Sequence, residues 1–494
     1  MRIAPVLGVI GRLLQVFCLA FLPPMALATW DYFYDQTPLL DIAEFGGAMV
    51  LTWSSGWLLS RFFEKKPNFR RAEALAIVAG TWLVLAHFAA IPYLLSGLSY
   101  VDSFFESMSG LTTTGATILT DFDAHGRAFF LWRSMTQWFG GLGVIALFVV
   151  VLPQLGIAGR QIFFAEGSDV TTDVISPSVR ESARRLWQLY CFLTLLEMGM
   201  LHLVGGMGLY DSCCHALTTM SAGGFSPNPE SISGYANPTV EWIITGFMLL
   251  SGMSFPLIWI GFTRRPKEFL RDGEFRFYML CIFAATGGLA FLLADGVPTM
   301  ESIRIGMFQV TSLISGTGYA SVDYARGEGW TDGMRVLLLF VMLVGGCAGS
   351  AAGGPKAIRV LLSLKFMWRE LTRVLHPRGV IPLRHRGRAI PDDAMRAILN
   401  LVLAFGALEL VVGSVMVLFG SDMITGFTSA LACIGNIGPG FEAVGPMENY
   451  AALHPMAKII LTLGMWMGRL ELLTVLVLLH PDVLRNLRWR GRRP

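Results

Sequence analysis

The sequence predicts an all-α integral membrane protein, built from four pseudo-symmetric repeats of span, re-entrant helix, filter loop and span around one pore, plus two extra N-terminal transmembrane helices. Three observations predict it. Only 15% of the 494 residues are charged, 54% are hydrophobic and the mean hydropathy is +0.57, whereas soluble domains are about 25% charged. Apolar stretches long enough to cross hydrocarbon recur along the chain, and shorter, more polar segments fall between alternate pairs. Each short segment ends in a glycine-centred run of small residues.

A crossing helix needs about 20 apolar residues. Stretches of that length lie at 4–29, 38–60, 73–97, 128–153, 187–208, 237–261, 277–295, 333–362, 395–420 and 455–480, which predicts ten crossings. The first has the basic start, apolar run and Ala26-Leu27-Ala28 of a signal peptide. Its length, and the second span that follows at once, favour an uncleaved helix. Residues 1–68 are thus an N-terminal pair. Repeat 1 occupies 69–160, repeat 2 180–265 and repeat 3 272–364; a basic loop at 365–393 precedes repeat 4 and a basic tail at 394–494. The short segments near 100–114, 209–221, 301–315 and 422–435 cannot span and read as re-entrant helices.

Charge orients this arrangement. Lys and Arg gather in RFFEKKPNFRR (61–71), TRRPKEFLR (263–271), the stretch from Lys365 to Arg388, and the tail LRNLRWRGRRP. Basic loops stay in the cytoplasm, so both termini are expected there. With a net charge of only +3, these residues read as membrane topology rather than as a nucleic-acid surface. The seven cysteines lie in apolar runs without metal-ligand spacing, and the eight histidines are scattered. No GxxxxGK[ST] phosphate loop occurs, and GGLG at 140–143 lacks the strand and acid of a dinucleotide fold. No organic cofactor and no enzymatic centre are expected.

Stacking the short segments on their glycines gives TTGAT (113–117), SAGGF (221–225), GTGYA (316–320) and NIGPG (436–440), with Gly115, Gly223, Gly318 and Gly438 shared. A cation filter replaces the hydration shell with rings of backbone carbonyls, so its side chains must be small and glycine is needed where φ is positive. The candidate ion-binding residues are Thr113, Thr114, Gly115, Ser221, Ala222, Gly223, Gly316, Thr317, Gly318, Asn436, Ile437 and Gly438, with potassium as the bound ion. The C-terminal dipole end of each short helix favours a cation at mid-membrane. Any one glycine is more commonly a helix-packing residue; four copies in one topological slot argue otherwise. A carboxylate follows each loop, and Asp121, Glu230, Asp323 and Glu442 are candidates for an outer ring that concentrates cations.

Two features lie beyond the loops. Residues 345–355 are nearly all Gly, Ala, Ser and Pro; Gly costs about 1 kcal/mol and Pro about 3 kcal/mol in a helix interior, so this span should break into a loop. Gly345, Gly346, Gly349, Gly353, Gly354 and Lys356 are candidate gate residues, together with Arg469 in the last apolar span. A charge there needs a partner or water.

The motifs SMSGLTTTGAT with QWFGGLGV, LTTMSAGGFSPN, LISGTGYAS, GGCAGSAAGGPKAIR, LHPRGVIPLR, ACIGNIGPGF and MGRLELLT resemble those of the TrkH branch of the Trk/Ktr/HKT superfamily over nearly the whole chain. The resemblance implies a potassium-uptake subunit of the bacterial inner membrane that forms a homodimer and is gated by a cytoplasmic ring of nucleotide-binding TrkA-type subunits. It also implies a filter less strict than the TVGYG of potassium channels. The alternative is a cation-coupled secondary transporter, which would place ionisable residues at mid-membrane near broken helices. Apart from Arg469 and Glu471, such residues are scarce in the apolar runs.

Overall fold

In the computed structural model, residues 1–35, 38–62, 69–150, 179–263, 266–294, 296–327, 329–379, 381–386 and 388–487 are described. Parts of the basic loops anticipated from charge (63–68, 264–265, 380 and 387), the inner end of repeat 1 (151–160) and the end of the basic tail (488–494) lie outside them.

Helix Ile3–Phe17 passes through a 3-10 turn at Cys18–Phe21 into Leu22–Tyr34, and Leu39–Ser60 packs back along it. Small residues permit the close approach: a Cβ on Gly56 would stand 2.9 Å from the Gly11 carbonyl oxygen. Here glycine does act as a packing residue.

Four short helices follow, Tyr100–Leu111, Leu209–Met220, Thr299–Ile314 and Met423–Ile434. Polar side chains start two of them. Ser99 accepts from the Asp102 amide at 3.2 Å and Asp422 from the Thr425 amide at 3.0 Å, satisfying donors that a helix start leaves open. Each short helix sits between two others. Arg71–Ala89, Val179–Leu203, Gly273–Leu293 and Asp392–Leu418 precede them, and Arg127–Val150, Pro238–Gly252, Asp332–Val344 and Pro455–Arg469 follow. One core cluster draws mainly on residues between Leu186 and Ala351. Another joins the N-terminal helices to the first and fourth short helices.

Five of the described helices are long and apolar enough to cross a membrane, or seven if each bent pair counts as one. The uninterrupted spans expected at 237–261 and 455–480 are corrected. Pro238–Gly252 and Phe255–Gly261 meet at 105°, and Pro455–Arg469 and Leu473–Leu479 at 112°. Pro256 at the start of the continuing helix cannot donate to a preceding turn. At the second break Glu471 and Leu472 take φ of 60° and 44°, which no right-handed helix can contain. Between Asp332–Val344 and Ala357–Leu375 the chain is non-helical and nearly all buried, as the Gly-Pro composition requires. The basic loop carries a two-residue antiparallel ladder, Arg384 and His385 with Ala389 and Arg388.

The scarcity of ionisable residues in the apolar runs is also corrected. Glu106, Arg133, Glu197, Glu241, Glu274, Arg359 and Lys458 are buried. Several form ion pairs that a linear reading cannot see, because their partners lie far away in sequence: Arg133 with Glu106 at 2.7 Å, Arg359 with Glu471 at 3.0 Å and Lys458 with Asp102 at 2.6 Å.

Candidate ion-conduction site

Each short helix ends in the same pattern of hydrogen bonds. The amides of Thr114, Gly223, Thr317 and Ile437 donate to the carbonyls of Ser109, Thr218, Ser312 and Ala432 at 2.8, 2.9, 2.9 and 2.8 Å. One residue earlier, Thr113, Ala222, Gly316 and Asn436 donate to Gly110, Thr219, Leu313 and Cys433 at 2.9, 2.9, 3.2 and 3.3 Å. These bonds fix the register of the four loops, and it differs by one residue from the sequence alignment in the second. Gly223 corresponds to Thr114, Thr317 and Ile437; the counterpart of Gly115, Gly318 and Gly438 is Gly224. The physical reason is φ. Gly115, Gly224, Gly318 and Gly438 lie at 81°, 79°, 80° and 101°, and Gly223 is not left-handed. A two-glycine stretch offers two candidates for one left-handed position, and only helix-end bonding selects between them. Ser221 is accordingly the helix C-cap, matching Thr112, Ser315 and Gly435.

A second left-handed residue stands two positions earlier in every loop, Thr113, Ala222, Gly316 and Asn436 at φ of 53°, 55°, 74° and 51°. Three of these carry side chains. A left-handed backbone costs such a residue about 1–2 kcal/mol, and strain of this kind collects at functional sites.

The loops meet in chain order. A Cβ on Gly115 would strike the Gly223 carbonyl, one on Gly224 the Thr317 carbonyl and one on Gly318 the Ile437 carbonyl. On Gly438 it would lie 2.5 Å from the Thr114 carbonyl oxygen, which closes the ring. All four left-handed glycines line one cavity, with Arg133, Glu448 and Tyr450 among its other walls.

Side chains missed by sequence reasoning brace this ring. Gln137 donates from Nε2 to the Gly223 carbonyl at 2.7 Å and accepts from the Phe225 amide at 3.0 Å, spanning Gly224. The Tyr450 hydroxyl donates to the Gly438 carbonyl at 2.7 Å and its amide to the Thr117 carbonyl at 2.8 Å, tying the fourth loop to the first. The Ile232 and Ser233 amides donate to the Ala320 carbonyl, tying the second to the third. Gln137 lies in the QWFGGLGV motif, but no spacing rule links it to a residue 86 positions away.

The four acids lie outside the lining of the cavity that the glycines share. Asp121 accepts from the amides of Asp123 and Ala124, and Asp323 from those of Ala325 and Arg326, each stabilising its own turn. Glu230 is exposed and Glu442 begins a 3-10 turn. None of the four lines the cavity; Glu448 does, paired with Arg326.

The broken third span lies against the ring. A Cβ on Gly316 would be 3.5 Å from the Gly353 amide nitrogen, and one on Gly353 2.7 Å from the Gly435 carbonyl oxygen. The loop's backbone groups find partners outside any helix, which is the condition for irregular backbone at membrane depth. Cys347 and Ala351 donate to the Gly252 and Ser251 carbonyls at the break in the neighbouring span, and the Phe255 amide donates to the Gly349 carbonyl. The Ala348 amide donates to Glu274 at 2.6 Å. Gly345, Gly349 and Gly354 are left-handed, as is Lys356 at φ 72°, whose Nζ donates to the Ala352 carbonyl at 2.5 Å. Gly346 is the acceptor for the Ala357 amide. From the last span, Arg469 donates to the carbonyls of Ala351 at 2.8 Å and Gly140 at 3.5 Å.

Residues 42–482 match the family profile described as TrkH, cation transport protein. The chain is 32% identical to the Trk system potassium uptake protein TrkH of Halomonas elongata, over 98% of this chain and 100% of that protein. It is 36% identical to the protein of the same name in Escherichia coli K12, over 86% and 88%. The crystal structure of the potassium transporter TrkH from Vibrio parahaemolyticus superposes with a TM-score of 0.87, at 29% identity, over 99% of this chain and 100% of that one.

Proposed function

The chain belongs to the TrkH family of cation transport proteins, a transporter family rather than one of enzymes, and from that premise we propose that it conducts potassium into the cell through a gated, moderately selective pathway at the ring of four loops. The observation that carries this reading is the closed succession of left-handed glycines against neighbouring carbonyls, Gly115 to Gly223, Gly224 to Thr317, Gly318 to Ile437 and Gly438 to Thr114. Alternating left- and right-handed residues turn successive carbonyls to one side, and such carbonyls can replace the water around a monovalent cation. In this reading the potassium ligands are the backbones of 113–115, 222–224, 316–318 and 436–438, in four pseudo-symmetric repeats that share one pore. The chain divides into the N-terminal pair, the four repeats and the basic loop and tail at the boundaries given above.

Uptake needs no hydrolysis by this chain. A membrane potential of 100 mV is worth about 2.3 kcal/mol per charge, a roughly fiftyfold accumulation. The loop at 345–356, with Lys356 and Arg469, is the gate. The protein works as a homodimer in the bacterial inner membrane, both termini cytoplasmic, with a TrkA-type nucleotide-binding ring docked near the basic stretch 365–393. A partner opens the gate only by binding the open state more tightly than the closed one.

The test is rubidium and sodium uptake into liposomes holding the purified protein, with a potential set by an ionophore. Potential-driven rubidium uptake exceeding sodium uptake is expected. Uptake that demands a second, coupled ion replaces this reading with the secondary-transporter alternative, and an absence of cation uptake in the presence of the nucleotide-binding partner overturns both.

A further inference from the structure

We propose that the buried ion pair of Glu106 and Arg133 is a specificity-determining clamp, which holds the first and second glycine loops in register and sets the charge at the outer end of the cation path. The inference rests on reading the four loops as the conduction site.

Arg133 lies in the helix after the first loop and Glu106 in the short helix before it. Their side chains are 2% and 0% exposed, with Nε 2.7 Å from Oε1. Each remaining part of the pair reaches a loop. Glu106 Oε2 accepts from the Ile118 amide at 3.0 Å and the Thr117 hydroxyl at 3.2 Å, both just beyond Gly115. Arg133 donates to the Ser226 carbonyl at 3.1 Å, just beyond Gly224, and to the Thr117 hydroxyl at 3.2 Å. Its guanidinium lies 4.0 Å from the Phe225 ring centre. One side chain therefore touches two loops, and a planar fork with several fixed donors can do this where an ammonium cannot.

The other three loops are braced from their own short helices by neutral groups. His215 Nε2 is 3.2 Å from the Ser226 hydroxyl. Gln309, with its amide turned to satisfy both ends, accepts from the Ser321 and Val322 amides at 3.0 and 3.2 Å. Thr428 accepts from the Phe441 amide at 3.0 Å. Neutral hydrogen bonds thus suffice to hold a loop, so holding alone does not account for a charged pair in the first repeat. The difference is location: Arg133 lines the cavity that the four glycines open into. A bare guanidinium there would repel an incoming cation, and Glu106 cancels it while keeping the two-loop grip. Removing one partner would leave the other charge buried and uncompensated.

The experiment measures rubidium and sodium uptake by the full-length protein in liposomes, with size-exclusion elution as the check on folding. Arg133→Lys keeps the charge but loses the double reach; the rubidium-to-sodium ratio should fall by about tenfold, equivalent to roughly 1.4 kcal/mol. Glu106→Gln leaves Arg133 uncompensated and should lower total cation uptake by about tenfold, and the double variant Glu106→Gln with Arg133→Gln should bring uptake back to within about threefold of the wild type, with the ratio still low. A wild-type ratio in Arg133→Lys overturns the clamp, as does a double variant no better than Glu106→Gln. If these variants do not fold, Thr117→Val decides: it removes the hydroxyl shared by both partners, which also accepts from the Leu119 amide at 3.1 Å, and a loss of about threefold in the ratio is expected, while an unchanged ratio refutes the proposal. A wild-type protein that passes no monovalent cation defeats the conduction reading itself; one that passes them while the variants keep its ratio defeats the clamp alone.

Discussion

Arg469 donates from Nη1 to the carbonyl of Ala351 at 2.8 Å, joining the last broken span to the loop that interrupts the third. The bond explains how a charged residue is accommodated within an apolar span. It also places a positive charge against a loop that packs on Gly316 and Gly435.

From this contact, Arg469→Ala is expected to raise cation uptake in the absence of any partner. A hydrogen bond from a charged group contributes about 1.5–3 kcal/mol, so an increase on the order of tenfold should appear in liposome flux. The rubidium-to-sodium ratio should stay within about twofold, because the substitution leaves every loop-to-loop contact of the ring in place. An unchanged closed-state flux in a folded variant would remove Arg469 from the gate.

The register of the second loop is tested by comparing two adjacent glycines. A Cβ at Gly224, at φ 79°, strikes the backbone carbonyl of Thr317; at Gly223 it meets the side-chain amide of Gln137, whose displacement weakens the brace on the ring but moves no backbone carbonyl. Gly224→Ala should therefore lower the potassium-to-sodium permeability ratio by about tenfold, well beyond Gly223→Ala, given strain of about 1–2 kcal/mol at the left-handed position. Gly318→Ser, at φ 80° and against the Ile437 carbonyl, should behave like Gly224→Ala. The reverse order at 223 and 224 would restore the sequence alignment.

Deleting residues 347–353 removes the amides that bond to Gly252 and Ser251 and the carbonyl that Arg469 holds. The shortened protein should conduct without its partner and lose its response to nucleotide, read as flux with and without the nucleotide-binding subunit. A folded dimer that keeps full partner dependence would show the loop to be packing only.

The Arg359–Glu471 pair, at 3.0 Å with side chains 2% and 12% exposed, joins the helix leaving the loop at 345–356 to the break in the last span. Breaking a buried pair costs about 3–5 kcal/mol, while replacing both charges can be nearly neutral. Glu471→Ala should lower the thermal unfolding midpoint in detergent by several degrees, and Arg359→Leu with Glu471→Leu should recover most of it. Equal midpoints for the two variants would show the pair to be energetically idle.

Much of this molecule is legible in linear order because membrane insertion is a local constraint. Each helix must satisfy its own backbone within hydrocarbon, so hydropathy marks the apolar helices, although five of the described ones, or seven with each bent pair counted as one, have the length and composition of a crossing where ten were expected; the segments expected to be re-entrant fall on the short helices at 100–111, 209–220, 299–314 and 423–434. Composition alone also breaks the helix at 345–356, since glycine and proline oppose helix wherever they stand. Four recurring glycine stretches were likewise visible as strings. What the string could not carry are relations between residues that meet only when the chain is folded: the one-residue shift to Gly224, set by which amide bonds the end of the short helix; the bends after Gly252 and Arg469, where hydropathy reads straight through; and the pairing of Glu106 with Arg133, of Arg359 with Glu471, and of Arg469 with the Ala351 carbonyl. Leaving one member of such a pair buried alone is costly, and each partner is chosen by packing in three dimensions, over separations that no local rule spans.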